Sequence, residues 1–326
     1  MLRYIIKRLL IMIPILLGIS FIVLILIDLS PGDVARIVAG PDAEDWEVQE
    51  VREELQLEDP LLVRYGRFIW NAVHGSFGKS FINKQDVWGA MMSRFPYTVL
   101  LAFLSVILSV VIGIPAGIVA ATNQYSWKDN LTIVLSLFFV SMPAFWFALL
   151  LVQLFSVKLG WLPAAGIGTW KHWILPTVSL ALAYMASIAR QMRSNMLEVI
   201  RQDYIVTARA KGLSEHTVLY RHALKNALIP VIQVVGGLFS MALGGALIAE
   251  TIFSLPGLGV YSLTALSNRD YPAIQGSVLF LSIINCVMIL VVDVVFAFVD
   301  PRIRSQYVRR KAKKVEKPEK AVAENE

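Results

Sequence analysis

Hydrophobic residues in this chain are concentrated in six blocks, and polar stretches of very different length separate them. Most blocks are about 20 residues long, the length an α-helix needs to cross the roughly 30 Å hydrocarbon layer of a membrane. A helix is required because lipid offers no partners to backbone N–H and C=O groups. The blocks cover residues 9–29, 97–121, 132–156, 174–189, 227–249 and 276–299. The pattern predicts an all-α integral membrane protein with six transmembrane helices in one domain, residues 9–299.

Two of the polar stretches are too long to be simple turns. Residues 30–96 join the first two predicted helices, and residues 190–226 join the fourth and fifth.

The composition agrees with a membrane chain, because 56% of the 326 residues are hydrophobic and 17% are charged. In soluble domains about 45–50% of residues are apolar and about 25% are charged. The composition therefore argues against a pair of soluble domains.

The basic residues lie mostly on one side of the predicted membrane domain. Lys and Arg are abundant in residues 1–8, 190–226 and 300–326, whereas residues 30–96 carry an excess of acidic side chains. Cytoplasmic segments of membrane proteins are enriched in Lys and Arg. Both termini and the 190–226 loop are therefore predicted to be cytoplasmic, and the basic tail 300–326 is predicted to be disordered. The net charge of +6 follows from this asymmetry, so no nucleic-acid partner is expected.

Motifs for catalysis or metal binding are missing from the sequence. The single cysteine, Cys286, lies inside the sixth block, and the four histidines show no metal-ligand spacing. Residues 75–80 (GSFGKS) resemble part of a phosphate-binding loop. That loop requires four residues between its glycines, however, and here there are two. We predict no catalytic residue, no metal site and no cofactor bound by this chain, which argues against a membrane-embedded enzyme.

The loop of residues 30–96, called the outer loop, contains two segments with helical periodicity. Residues 43–57 have acidic side chains in the first turns and apolar Val48, Val51 and Leu55 on roughly one face. Residues 61–73 repeat this arrangement. Both are predicted to be short amphipathic helices at the outer mouth of the bundle. They either cover loop backbone or form a docking surface for an extracytoplasmic partner.

The loop of residues 190–226, called the inner loop, contains signals for a helix, a tight turn and a second helix. Residues 203–211 are compatible with a helix that ends at Gly212, since glycine is common just beyond helix C-termini. Ser214 is a suitable N-cap for a second helix over residues 215–226. This elbow either transmits force between the bundle and a soluble partner or lies at the lipid interface.

Charged residues inside or beside a span are functional candidates by default. Asp293 lies within the sixth block and Glu250 at the outer end of the fifth. Asp293 is interpreted either as a hydrogen-bonded carboxyl that holds helices together or as a pathway residue. Glu250 is interpreted either as an interfacial carboxylate or as a gate contact.

Several segments, in order along the chain, resemble the permeases of binding-protein-dependent ABC importers, especially the dipeptide and oligopeptide group. The inner loop carries residues 203–213 (DYIVTARAKGL) and 221–230 (RHALKNALIP). The other matching segments are residues 31–33 (PGD), 94–98 (RFPYT), 160–166 (GWLPAAG), 250–259 (ETIFSLPGLG), 269–272 (RDYP) with Gln275 and Gly276, and 300–304 (DPRIR). One departure is that Val206, Thr207 and Ala208 stand where the wider family often has Glu-Ala-Ala.

The resemblance implies that the inner loop docks on a cytoplasmic ATPase. The residues it implicates are Tyr204, Ile205, Thr207, Ala208, Arg209, Ala210, Lys211, Gly212, Leu213 and Ser214. It also implies a second homologous permease subunit, two ATPase subunits that bind ATP and Mg, and an extracytoplasmic solute-binding protein, in a prokaryotic cytoplasmic membrane. The implied cargo is a dipeptide or short oligopeptide. Nickel, glutathione or an oligosaccharide remain alternatives, as does an ATP-independent channel.

Overall fold

The computed structural model of the chain describes residues 2–29 and 32–299. Within these ranges the chain is almost entirely helical and contains no β-strand, which confirms the predicted all-α fold class. Pro31, residues 300–304 of the last matching segment and the predicted disordered tail lie outside the described residues. The helices α1 to α7 are Leu2–Asp28, Val34–Ala39, Asp45–Glu54, Leu61–Val73, Val87–Thr122, Trp127–Ser141 and Ala144–Leu151. The helices α8 to α14 are Ile174–Ile200, Asp203–Ala210, Glu215–Thr217, Leu224–Gly245, Leu247–Ile252, Leu258–Ser267 and Tyr271–Val299.

Five helical segments are long and apolar enough to cross a membrane, and a sixth crossing is broken. The broken one consists of Trp127–Ser141 and Ala144–Lys158, which meet at a bend of 101°. The sequence predicts a span over residues 132–156 in which a kink at Pro143 is tolerated, and the helix is broken there. Pro143 cannot donate a backbone hydrogen bond, and Met142 before it adopts an extended conformation. The six-span count holds when the bent pair is taken as one crossing.

Several helices extend beyond the apolar blocks that predicted them. Helix α5 begins at Val87, inside the predicted outer loop, where the Asp86 side chain accepts a hydrogen bond from the Gly89 amide at 2.7 Å. Helix α8 continues to Ile200, well into the predicted inner loop. Residues 215–244 run as one helical segment, with a π-helical stretch at Val218–Ala223. The non-helical part of the inner loop is therefore short. An apolar block shows where a helix crosses the lipid, and the helix itself can continue beyond the lipid into polar sequence.

Helices α5 and α8 form the closest pair in the bundle. A Cβ atom at Gly117 would lie 2.6 Å from the carbonyl oxygen of Ala189, and one at Gly113 would lie 2.9 Å from that of Met185. These two glycines therefore allow the backbones of the two helices to approach directly. On their inner half they share a buried apolar cluster that includes Ile118.

Helices α2, α3 and α4, referred to as the outer cap, make up most of the 30–96 loop, and α4 contacts α1. The phenol of Tyr65 in α4 donates a hydrogen bond to the carbonyl oxygen of Leu17 at 2.8 Å. Arg64 pairs with Asp28, the last residue of α1, at 2.6 Å. Helix α4 has the bounds Leu61–Val73, the range expected from the sequence. The outer loop is thus a packed cap made of amphipathic helices.

Candidate functional site

The inner elbow is a helix, a glycine turn and a second helix start. Helix α9 ends at Ala210, and Gly212 then adopts φ +78°, a left-handed conformation that favours glycine. The Gly212 amide donates to the carbonyl oxygen of Arg209 at 2.9 Å. The hydroxyl oxygen of Ser214 accepts a hydrogen bond from the Thr217 amide at 3.4 Å and so caps α10. Glycine turn and serine cap stand where the sequence places them.

One face of α9 is buried against the bundle. Ile205 is 0% exposed and Ala208 is also buried. Both belong to an apolar cluster with Met196 at the end of α8 and with Val218 and Ala223 at the start of the fifth crossing. Burying an aliphatic side chain contributes about 1.5–3 kcal/mol. Helix α9 is therefore anchored to two membrane-crossing helices at once.

The rest of the α9 surface is exposed. Val206 is 56% exposed on one side of the buried face, and Tyr204 is accessible on the other. Of the ten residues predicted to contact an ATPase, Ile205 and Ala208 are buried, and the exposed ones are Tyr204, Thr207, Arg209, Ala210, Lys211, Gly212, Leu213 and Ser214. Apolar and basic side chains thus share one accessible surface, which is typical of a protein contact.

Two polar contacts fix the shape of the elbow. Arg209 pairs with Glu215 at 2.6 Å across the Gly212 turn. The Asn226 side-chain amide donates to the phenol oxygen of Tyr204 at 2.7 Å and so ties α9 to α11. The resemblance implies that Arg209 contacts an ATPase or lipid phosphates, which stays a prediction, and within this chain its guanidinium pairs with Glu215. The ion pair is exposed, so it adds little stability and chiefly orients the turn.

An ion pair that sequence reasoning missed connects the third crossing to α8. Asp129 is buried and accepts hydrogen bonds from the Arg193 guanidinium at 2.7 Å and from the Tyr125 amide at 3.0 Å. In the sequence, Arg193 counts only as one of many cytoplasmic basic residues. A signal was available in Asp129, an acidic residue among inner-side basic ones. Further along α8, Asn195 donates to the carbonyl oxygen of Ala227 in α11 at 3.2 Å. Helix α8 is therefore linked to α6 and α11 near the elbow.

The other candidate, Glu250, lies in α12, just beyond the fifth crossing. It is 1% exposed, and its carboxylate accepts hydrogen bonds from the Thr98 hydroxyl at 2.6 Å and the Val260 amide at 3.0 Å. The Thr98 oxygen in turn accepts from the Leu258 amide at 2.9 Å. Burial raises the pKa of the Glu250 carboxyl, and the hydrogen bonds from Thr98 and from backbone amides oppose that rise. The carboxylate thus links α12 and the start of α13 to α5.

Glycine residues make room for this carboxylate. A Cβ atom at Gly257 would lie 2.1 Å from the Glu250 carboxyl carbon, and one at Gly259 would lie 2.8 Å from a carboxylate oxygen. The segment ETIFSLPGLG therefore folds around its own glutamate. Because Glu250 is enclosed by its own chain, the interfacial-solvation interpretation does not fit. Its role as a gate contact stays a prediction.

Asp293 in α14 pairs with Arg8 in α1 at 2.8 Å. This contact joins the first and last crossing helices of the chain. The packing interpretation of Asp293 has direct support from this geometry, whereas a pathway role stays a prediction.

Changing Asp293 to Asn is expected to reduce assembly more than it alters cargo preference. The amide keeps the size of the carboxyl but loses the charge that Arg8 opposes, and partly buried ion pairs are costly to break. The amount of protein in the membrane and its melting temperature in detergent should both fall. Uptake per molecule, measured with two different cargo molecules, should keep its ratio. A changed ratio with normal expression would place Asp293 in the pathway.

No cluster of three or more His, Cys, Asp or Glu residues suited to a metal ion occurs among residues 2–29 and 32–299. The Gly75–Ser80 segment forms a turn in which Gly75 and Gly78 both have φ +80°. The hydroxyl of Ser80 donates to the buried carboxylate of Asp270, which the Phe81 amide also approaches at 2.9 Å. This segment therefore fastens the outer cap to the start of α14, a contact that sequence reasoning missed.

Comparison with solved structures shows the fold. The chain resembles a methionine ABC transporter in inward-facing conformations, MetNI, with a TM-score of 0.53 and 18% identity over 64% of this chain and 96% of that chain. It also resembles an amino acid ABC transporter determined with histidines, with a TM-score of 0.51 and 16% identity over 66% of this chain and 94% of that chain. At this identity the likeness concerns the fold alone.

Sequence comparison shows the family. Residues 113–305 match the family described as binding-protein-dependent transport system inner membrane component, and residues 1–102 match its N-terminal region. The chain is 42% identical to the glutathione transport system permease protein GsiC of Escherichia coli strain K12, over 93% of this chain and 99% of that protein. The GsiC of Shigella flexneri serotype 5b is 41% identical over the same shares. The chain therefore belongs to the binding-protein-dependent inner membrane components, as an ABC importer permease subunit of the peptide and glutathione group.

Proposed function

We propose that this permease subunit imports a short peptide and that glutathione is the first cargo to test. The observation that carries the proposal is the 42% identity to GsiC, a glutathione transport system permease, along almost the whole length of both chains. Glutathione is itself a tripeptide, so it falls within the size range of the peptide cargo expected from the sequence. A free dipeptide is the second candidate, supported by the matching segments of the inner loop.

The proposed assembly contains a second homologous permease, two ATPase subunits that bind ATP and Mg, and a solute-binding protein. The exposed face of α9 supports an ATPase contact on the cytoplasmic side. Few residues in the most apolar parts of α1 and α14 are buried within this chain, 17% and 11% respectively, which is consistent with further cover from a second permease and from lipid. Both termini are proposed to be cytoplasmic, and the α2–α4 cap extracytoplasmic.

The proposed mechanism uses the elbow as a lever. Closure of the ATPase pair would displace α9, and the buried Ile205 and Ala208 would carry that displacement into α8 and the fifth crossing. Because Arg193 holds Asp129 and Asn195 holds the backbone of α11, the crossing helices near the elbow would move together. This coupled motion would switch access between inner and outer openings.

Uptake measurements in the source organism test the cargo. Deletion of the gene for this chain should reduce the uptake of radiolabelled glutathione at least tenfold, and the wild-type gene should restore it. Labelled dipeptide, nickel and oligosaccharide are measured in the same strains. Loss of dipeptide uptake alone would replace glutathione by the second candidate. Loss of only nickel or oligosaccharide uptake would overturn the peptide proposal, and uptake that persists after ATP depletion would favour a channel.

A further inference from the structure

A cavity of about 230 Å³ lies between the outer cap and the start of α14. Its walls come from the end of α1, from α4, from the turn at Gly78 and Lys79, and from the first turns of α14. The apolar part of the wall includes Leu24, Phe68 and Phe77. The cavity therefore lies between the outer cap and two membrane-crossing helices, and its apolar wall can hold an apolar group.

Among residues 2–29 and 32–299, the charged side chains that line this cavity are all basic. Arg64, Arg67 and Lys79 belong to its walls, and no acidic residue of these ranges does. Arg64 pairs with Asp28, and Arg67 pairs with Asp59, so both guanidinium groups retain further N–H donors. The first turn of α14, at Tyr271 and Pro272, also lines the cavity, and a helix N-terminus favours negative charge. The cavity therefore favours an anion.

A buried amide in the wall has no partner in the described part of the chain. Gln275 is 8% exposed and lines the cavity, yet none of its side-chain atoms makes a hydrogen bond with residues 2–29 or 32–299. The donors and the acceptor of this amide are therefore free to bind a polar ligand in the cavity.

We propose that this cavity binds the terminal carboxylate of a short peptide, with the adjoining apolar side chain against Phe68 and Phe77. Lys79 and the two guanidinium groups attract the carboxylate, and the Gln275 amide donates a hydrogen bond to it. The site lies within one permease chain, between the outer cap and α14. It would hold cargo before the cargo enters the translocation pathway between the two permease subunits. The identity of the ligand rests on the proposed function, whereas the preference for an anion rests on the cavity alone.

Binding to the full chain in nanodiscs, without a solute-binding protein, tests the proposal. The probes are radiolabelled alanyl-leucine, its C-terminal amide and glycerophosphate, measured by equilibrium dialysis. Alanyl-leucine should bind and its amide should bind at least about tenfold more weakly, since a hydrogen bond to a charged group is worth about 1.5–3 kcal/mol. Equal binding of peptide and amide, or binding of glycerophosphate alone, would overturn the peptide site.

Variants locate the binding to this cavity. Lys79→Gln and Gln275→Leu should each weaken alanyl-leucine binding about tenfold. The matched control is Lys84→Gln, because Lys84 lies in the same loop, is exposed and does not line the cavity. If Gln275→Leu fails to fold, Gln275→Glu serves instead and should repel the carboxylate. Unchanged binding in Lys79→Gln and in the folded Gln275 variant refutes the site. Binding without uptake would refute the proposed cargo and leave the site standing.

Discussion

Replacing Gly212 with proline is expected to lower uptake at least tenfold while ATP hydrolysis by the assembled transporter continues. Gly212 has φ +78° and its amide donates to the Arg209 carbonyl oxygen. Proline fixes φ near −65° and has no amide hydrogen. The turn between α9 and α10 would therefore change direction, and the exposed face of α9 would no longer be presented as it is here. Uptake per ATP hydrolysed, in proteoliposomes with the partner subunits, is the measurement.

Gly75 supplies a closely matched control. It follows α4 as Gly212 follows α9, it has φ +80°, and its amide donates to the Ala72 carbonyl oxygen at 3.0 Å. Gly75→Pro should disturb the outer cap to a similar extent and weaken cargo binding at the cap cavity. At saturating cargo it should therefore leave the uptake per ATP hydrolysed unchanged, whereas Gly212→Pro should lower it. Normal uptake by Gly212→Pro would refute the lever assignment.

A second substitution at the same position separates turn geometry from surface fit. No atom lies within 4 Å of a Cβ built at Gly212, so a larger side chain meets open space in this chain. Gly212→Ala keeps the turn at a cost of about 1–2 kcal/mol for the left-handed conformation. Gly212→Trp carries the same backbone strain and adds bulk on the exposed surface. Uncoupling by tryptophan but not by alanine would therefore indicate that the surface enters a groove on the partner.

Local signals made much of the elbow predictable. The Gly212 turn and the Ser214 cap depend on residues within a few positions of each other, so their chemistry can be read directly from the chain. The membrane crossings could be predicted for a similar reason, because 20 apolar residues satisfy the thickness of the bilayer by themselves. The exposure of Tyr204 and the burial of Ile205 could not, since both depend on where the end of α8 lies.

Contacts between distant residues escaped the sequence. Asp129 and Arg193 are far apart in the chain and meet because α6 packs on α8. Thr98 and Glu250 meet because α12 packs on α5. The break at Pro143 shows the same limit in another form. Proline inside a span is tolerated where neighbouring helices satisfy the freed backbone groups, so its presence alone does not set the size of a bend.

Replacing Glu250 with alanine is expected to destabilise the outer end of the bundle by about 3 kcal/mol. The change leaves the Thr98 hydroxyl and the Val260 amide without their buried acceptor, and it opens a cavity beside Gly257. The melting temperature of the purified protein in detergent and the yield from membranes should both fall. Glu250→Gln should lose less, because its carbonyl oxygen can still accept one of the two hydrogen bonds while its amide fills the same space.

The structural role of Glu250 is separated from a gating role by a double-mutant comparison. Thr98→Val removes the hydroxyl that donates to Glu250, so the combined variant should lose less stability than the sum of the two single variants. Glu54→Ala is the control for removing a carboxylate, because Glu54 is exposed on α3, and its melting temperature should stay the same. If Glu250→Ala keeps the wild-type melting temperature and yield but leaks cargo through the membrane, the carboxylate acts as a gate. If the melting temperature falls, and the double variant loses less stability than the sum of the two single variants, the carboxylate serves instead to pack α12 against α5. The shape of the outer opening depends on that packing.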